Sequence, residues 1–176
     1  MPRRAGGERA RGVRLMAFDV DGVLTDGTIF VAAGGEEMKA FNILDGHGLK
    51  MLREAGVQLA VISGRTSAAV ERRARELGID HVLQGEQDKL PAFESLCARA
   101  GVAPGACGFM GDDLPDLPVL LRCGFAASVP GAPQAVRRRV HYVTRAPGGH
   151  GAVREVCEVV LAAQGKLAAA LKSYLR

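Results

Sequence analysis

The sequence predicts an α/β protein built on a doubly wound, mostly parallel sheet, with a small β-hairpin set beside it. Three observations carry this expectation. Short apolar runs alternate with longer, charged segments of helical period. The runs are apolar at nearly every position, as strands covered on both faces are. Polar residues follow directly on the runs, at the strand ends where open α/β sheets bind ligands. A length of 176 residues suffices for one domain with a two-sided core.

The elements follow in order. Val13–Phe18 is a buried strand that runs into Asp19-Val20-Asp21-Gly22. Thr28–Val31 and Glu37–Phe41 flank Ala32-Ala33-Gly34-Gly35 and read as a hairpin. Leu49–Ala55 is a short helix closed by Gly56, and Gln58–Ile62 is the second buried strand. Ser67–Leu77 is a charged helix stopped by Gly78, followed by a brief strand over His81–Leu83 and a helix over Leu90–Ala100. Gly108–Met110 is the fourth strand. A helix over Pro115–Arg122 follows, with proline in its first turn, where a missing N–H is harmless. Phe125–Ser128 is a fifth strand, Ala132–Arg138 a helical stretch, Tyr142–Val143 an edge strand and Val153–Gln164 a helix. The domain is read as residues 13–165. Residues 1–12 form a basic leader expected to be disordered, and residues 166–176 an Ala/Leu-rich tail.

Charge needs its distribution before it is interpreted. The net charge is +4, but residues 1–14 hold five of the 23 basic side chains and one of the 19 acidic ones. The rest of the chain is therefore balanced. Arg137-Arg138-Arg139 is the other basic run and reads as a solvated helix face. With no Trp and two Tyr, platforms for stacking bases are scarce, and a nucleic-acid partner is not expected. No apolar run approaches the roughly 20 residues a membrane span needs, and the N-terminus lacks an apolar signal segment. Cys97, Cys107, Cys123 and Cys157 are scattered, without C-x-x-C spacing, and read as reduced and mostly buried. That pattern suits the cytoplasm.

The strand ends carry the chemistry. Asp19 and Asp21 stand two apart after an apolar strand, where their repulsion calls for a cation; a hard divalent ion held by oxygens would supply it. A surface turn is the alternative. Ser63-Gly64-Arg65 offers a hydroxyl and close backbone amides to a phosphate, although Ser63 could equally cap a helix. Lys89 opens the helix after Gly85-Glu86-Gln87-Asp88, where a lone lysine is usually solvated. Asp112, Asp113 and Asp116 follow the fourth strand, and Asp112 and Asp116 share a face if a helix begins there. Neither G-x-x-x-x-G-K-[ST] nor G-x-G-x-x-G occurs.

Asp19 and Asp21, then Ser63, Lys89, and Asp112 with Asp116, fall in the order of the four motifs of the haloacid-dehalogenase superfamily, which the chain resembles from about residue 13 to 130. Longer stretches resemble one family within it, the 3-deoxy-D-manno-octulosonate 8-phosphate (KDO 8-phosphate) phosphatases. These are Asp19–Gly27, Gly35-Glu36-Glu37, Asp45-Gly46-His47-Gly48, Gly111–Leu117, Gly148–Glu155 and Gln164-Gly165-Lys166. The resemblance implies a Rossmann-like sheet of haloacid-dehalogenase type with the hairpin in place of a cap domain, and Mg²⁺-dependent removal of phosphate from a sugar acid phosphate. It implies catalysis by Asp19 as nucleophile, Asp21 as acid and base, and Ser63 and Lys89 holding the phosphate. The metal would be held by Asp19, Asp21 (through its backbone carbonyl) and Asp112. Asp116 would orient Lys89 or a metal-bound water, and Asp113 stands either beside the metal or on it. Ser63, Gly64, Arg65 and Lys89 would bind substrate, with Arg65 gripping the sugar carboxylate or else standing in solvent. A homotetramer joined through hairpin residues 28–41 is implied too, and the C-terminal tail is a candidate to reach a neighbouring site.

Three rivals remain at this point. Motifs that touch the phosphate do not distinguish KDO 8-phosphate from KDN 9-phosphate. A non-catalytic oligomerisation or regulatory module would not need the full set of acidic and basic residues. A receiver domain would carry its phospho-acceptor on a middle strand rather than the first.

Overall fold

A computed structural model describes residues 2–172, 174 and 175. The apolar run Leu15–Phe18 becomes β1, buried at all four positions. Gln58–Ser63 becomes β4, His81–Gln84 β5, Cys107–Met110 β6, Phe125–Ser128 β7 and Tyr142–Val143 β8. The hairpin strands β2 (Phe30–Val31) and β3 (Glu37–Met38) form a separate two-stranded sheet. The main sheet has the order β5-β4-β1-β6-β7-β8, and each neighbouring pair in it is parallel.

That order fixes the site. From β1 the chain builds outward through β4 and β5, then crosses back to β6 on the other side of β1. The reversal places a crevice at the carboxyl end of β1. Register sharpens the placement, because Phe18 pairs with Val61 on one side and Met110 on the other. Asp19 therefore emerges level with the ends of β4 and β6, and its amide donates to Met110 O at 2.9 Å.

Helices α2 (Ile43–Glu54), α3 (Ala68–Leu77), α4 (Lys89–Ala100), α5 (Leu117–Arg122), α6 (Gln134–Arg137) and α7 (Ala152–Ala163) surround the sheet. Phe18, Phe93, Phe109 and Phe125 are fully buried, each side chain stabilising the fold by about 1.5–3 kcal/mol relative to exposure. All four cysteines are free thiols and buried. Among the described residues, no helix is long and apolar enough to cross a membrane.

The structure departs from the sequence reading at three helices. α2 starts at Ile43 rather than Leu49, capped by Asn42 Oδ1, which accepts from the amides of Leu44 and Asp45. Gly46 and Gly48 hid this first turn, because glycine disfavours helix. Their role is contact: a Cβ on Gly48 would lie 2.9 Å from Arg154 Cα, where α2 crosses α7. The leader expected to be disordered contains a helix, α1 (Pro2–Arg11). Ala10 is buried in the core and Arg11 Nε donates to Ala163 O at 3.3 Å, so this helix is held by a partner some 150 residues away in sequence. The tail forms α8 (Leu167–Lys172), and the Tyr174 ring meets His47 edge-on with centroids 5.2 Å apart. Met1 of the leader, and Ser173 and Arg176 of the tail, lie outside the described residues.

Candidate active site

The loop after β1 is shaped before any ligand enters. Asp19 and Asp21 are extended, while Gly22 takes φ +88°, a left-handed conformation that glycine adopts without strain. Thr25 closes the loop: its amide donates to Val20 O at 3.0 Å, and its hydroxyl accepts from Gly27 N at 3.2 Å. Gly148 and Gly149 support the loop from behind. Gly149 N donates to Val23 O at 3.0 Å, and a Cβ on Gly148 would stand 2.6 Å from Gly22 C. Asp45, buried in α2, accepts from Gly151 N at 3.2 Å and Arg154 N at 2.8 Å. It thereby caps α7 from another helix and fixes the glycine loop. Thr25, Asp45 and these glycines stood within the stretches that carry the resemblance, yet sequence alone assigned them no task.

Four charged side chains converge at the crevice. Lys89, at the first position of α4, is buried rather than solvated; its ammonium lies 2.7 Å from Asp19 Oδ1 and donates to Asp116 Oδ1 at 2.6 Å. The other Asp116 oxygen accepts from the amides of Asp112 at 2.9 Å and Asp113 at 3.2 Å. Asp116 is thus a brace that ties the β6 loop to Lys89. Asp112 lies over Gly22, in the space a Cβ there would fill. Oxygens of Asp19, Asp112 and Asp116 lie within 4.8 Å of one another. Asp113 turns away from this cluster; its side chain accepts from Leu114 N at 2.8 Å.

The electrostatics of this group fit a divalent cation. Three carboxylates face one ammonium, a formal excess of two negative charges. Burial, reinforced by the Asp116 charge, pushes Asp19 up to about 6 despite Lys89 beside it. Burial and the Asp19 charge push Asp112 up to about 7. For Lys89, burial opposes the charge, but Asp19 and Asp116 outweigh it and raise the ammonium above its usual value. Carboxylates this reluctant to ionise beside one another are what a hard cation with oxygen ligands relieves.

Ser63 ends β4 and is buried, with Oγ accepting from Arg65 N at 3.2 Å. Its carbonyl accepts from Glu86 N at 3.0 Å, and Gly64 O accepts from Gln87 Nε2, which ties this loop to the one before α4. Arg65 is half-exposed and paired with Glu37 of the hairpin, its Nε 3.9 Å from Asp21 Oδ2. Asp21 Oδ1 is paired with Lys39, a residue the sequence reading passed over. Its signal was present in the alternation of the hairpin: Glu37 and Lys39 stand two apart and so share a face.

A Rossmann-like sheet with its aspartates at the strand where the order reverses defines a class, the haloacid dehalogenase-like hydrolases, and a model of that family matches residues 44–124. The KDO 8-phosphate phosphatase KdsC of Yersinia pestis is 45% identical over 160 residues, covering 91% of this chain and 86% of the relative. KdsC of Escherichia coli K12 is 45% identical over 159 residues, 90% of this chain and 85% of the relative. The chain belongs to the KDO 8-phosphate phosphatase family. Two solved structures have the same fold throughout. A probable YrbI family phosphatase from Pseudomonas syringae pv. phaseolica 1448a has TM-score 0.97 at 48% identity, covering 98% of each chain. The KDO 8-phosphate phosphatase of Moraxella catarrhalis, in complex with magnesium ion, phosphate ion and KDO, has TM-score 0.94 at 45% identity, covering 96% of this chain and 97% of that one.

Proposed function

We propose that this protein is a Mg²⁺-dependent phosphomonoesterase that converts KDO 8-phosphate into KDO and inorganic phosphate in the cytoplasm. The observation that carries the reading is the convergence of Asp19, Lys89, Asp112 and Asp116 at the carboxyl end of β1. Identity of 45% to KDO 8-phosphate phosphatases over nine-tenths of the chain supports the substrate.

The side chains divide the work. An oxygen of Asp19 attacks phosphorus as the bond from phosphorus to the sugar oxygen breaks, giving an aspartyl-phosphate. Asp21 gives its proton to the departing oxygen, then takes one from the water that attacks the aspartyl-phosphate; as the bond from phosphorus to the Asp19 oxygen breaks, Asp19 is regenerated and inorganic phosphate released. Lys89 and the Ser63 hydroxyl hold the transferring oxygens, assisted by backbone amides around Gly64. Asp116 keeps Lys89 in place. Arg65, on the open side beside Asp21, grips the sugar carboxylate through its two parallel N–H groups. The Asp19 and Asp112 side chains and the Asp21 carbonyl would hold Mg²⁺, which would supply positive charge that offsets repulsion between the nucleophile and the phosphate.

No cap domain separates Asp21 from Ser63, and the hairpin exposes Ile29, Phe30, Val31 and Met38, with Ile43 and Leu44 beside it. Exposed apolar side chains gathered on one short segment suit an interface. Four copies joined through residues 28–41 would cover it and the sites beneath. Light scattering on the purified protein checks the mass.

The test of the activity is phosphate release from KDO 8-phosphate, KDN 9-phosphate, a hexose 6-phosphate and p-nitrophenyl phosphate, with Mg²⁺ or EDTA, beside Asp19→Asn. Preference for KDO 8-phosphate, lost in EDTA and in the variant, is expected. Preference for another phosphate would overturn the substrate, and no Mg²⁺-dependent release from any of them would overturn the enzyme reading in favour of a structural module.

A further inference from the structure

Beside Asp21 and Arg65, the hairpin contributes two charged residues, Glu37 and Lys39, that have no part in the proposed reaction. Both face the loop after β1 and Arg65, while Met38 between them points away and is 61% exposed. The Lys39 side chain is 1% exposed, although it springs from an open hairpin. Its ammonium pairs with Asp21 Oδ1 and lies 3.1 Å from Glu37 Oε1. Arg65 pairs with the other Glu37 oxygen.

Burying a lysine in this way is costly. A solvated lysine keeps its rotamer freedom and the full hydration of its charge. Nothing in the hairpin requires the sacrifice, since a two-stranded turn tolerates a lysine pointing outward. What the burial achieves is a fixed contact with one oxygen of Asp21. The opposite oxygen, Oδ2, lies 3.9 Å from Arg65 Nε, on the side open to the substrate. Glu37 holds Lys39 through Oε1 and Arg65 through Oε2, so one carboxylate steadies both cations beside Asp21.

We propose that Lys39 is a positioning residue for Asp21, braced by Glu37, so that the hairpin aims the group that protonates the leaving oxygen. This rests on the proposed role of Asp21. Lys39 neither gives nor takes a proton: the proton passes from Asp21 to the sugar oxygen as its bond to phosphorus breaks, and Lys39 fixes where it starts.

The experiment compares kcat/KM across phosphate esters of rising leaving-group pKa, from p-nitrophenyl phosphate through phenyl phosphate to KDO 8-phosphate, for the wild type, Lys39→Met and Lys39→Arg. A nitrophenolate leaves without a proton, whereas a sugar alkoxide needs one. Lys39→Met is expected to lose about 100-fold on KDO 8-phosphate, the lower range for a general acid, and far less on p-nitrophenyl phosphate. The dependence on leaving-group pKa steepens accordingly, and Lys39→Arg recovers most of it. Equal losses on all three esters, or a loss confined to KM, would overturn the proposal. So would a Lys39→Arg variant no better than Lys39→Met. A wild type without Mg²⁺-dependent release would instead refute the phosphatase reading beneath it.

Discussion

Gly22→Ala separates a local backbone cost from damage to the site. The residue sits at φ +88°, and a side chain forced into left-handed backbone costs about 1–2 kcal/mol. A second cost is specific to this position: an ideal Cβ would lie 2.6 Å from Asp112 Cγ and 3.0 Å from its Oδ1. Real contacts do not come so close, so the Asp112 carboxylate must leave the cluster with Asp19 and Asp116. Overpacking of this kind costs about 1–3 kcal/mol more. At about 2–4 °C per kcal/mol for a chain of this size, the midpoint should fall by about 4–20 °C, with the fold retained. Phosphate release should fall much further, by at least about 100-fold, because the carboxylate proposed to hold the metal beside Asp19 is displaced. Gly56→Ala is the control. Gly56, after α2, has a like φ of +89°, but nothing lies within 4 Å of its Cβ position. It should lose about 1–2 kcal/mol and keep its kcat. Calorimetry and Mg²⁺-dependent phosphate release on both variants decide the matter. A Gly22→Ala protein as active as Gly56→Ala would show that Asp112 need not occupy that space.

Other outcomes are expected from the same geometry. Asp19 and Asp112 are raised from 3.8 to about 6 and about 7, so the stability they contribute is present below about 4 and lost as pH rises through 6 to 7; Mg²⁺ should offset that loss. The gain in melting temperature on adding Mg²⁺ should be larger at pH 8 than at pH 5, and equal gains would count against a site made by these carboxylates. Lys89→Met leaves buried Asp19 and Asp116 without their cation, which should cost about 3–5 kcal/mol in EDTA and about 10²–10³-fold in kcat; thermal melts and initial rates measure both. Gly48→Ala should melt below Gly46→Ala, since the first drives a Cβ to 2.9 Å from the Arg154 backbone and the second meets the Arg73 guanidinium and Leu77 Cδ2 at 3.1 Å. The end of a side chain yields, and a helix backbone does not.

The sheet was legible because strands buried on both faces are apolar at nearly every position, and β1, β4, β6 and β7 carry polar residues only at their ends. The aspartates were legible because acidic residues directly after such strands have few structural explanations. What escaped depended on partners distant in sequence. α1 carries an adjacent glycine pair and an uncompensated positive charge, which weigh against helix in isolation, and it is held by α7. The start of α2 contains two glycines that admit neighbours from elsewhere in the chain: Gly48 lets α7 cross closely, and Gly46 leaves room for Arg73 and Leu77 of α3. Asp45 looks like an ordinary helical aspartate until Gly151 and Arg154, more than 100 residues on, are found bonded to it.

Lys89 and Lys39 mark the limit most clearly. Both were ordinary lysines by composition, one at a helix start and one in a hairpin. Lys89 is buried because β1, the β6 loop and α4 bring two carboxylates to its ammonium. Lys39 is buried because the hairpin folds back over the loop after β1. A charge enters the interior only where opposite charges already wait for it, and which charges wait is decided by sheet order and hairpin closure rather than by neighbours in sequence. A buried lysine is therefore the residue type that a sequence reading ranks lowest and that the structure, by the cost of hiding it, ranks among the most informative. The two here flank the proposed reaction from opposite sides: Lys89 at the nucleophile Asp19, and Lys39 at the acid and base Asp21. Their substitutions should accordingly differ in kind. Loss of Lys89 should slow every phosphate ester, while loss of Lys39 should slow those whose leaving group needs a proton.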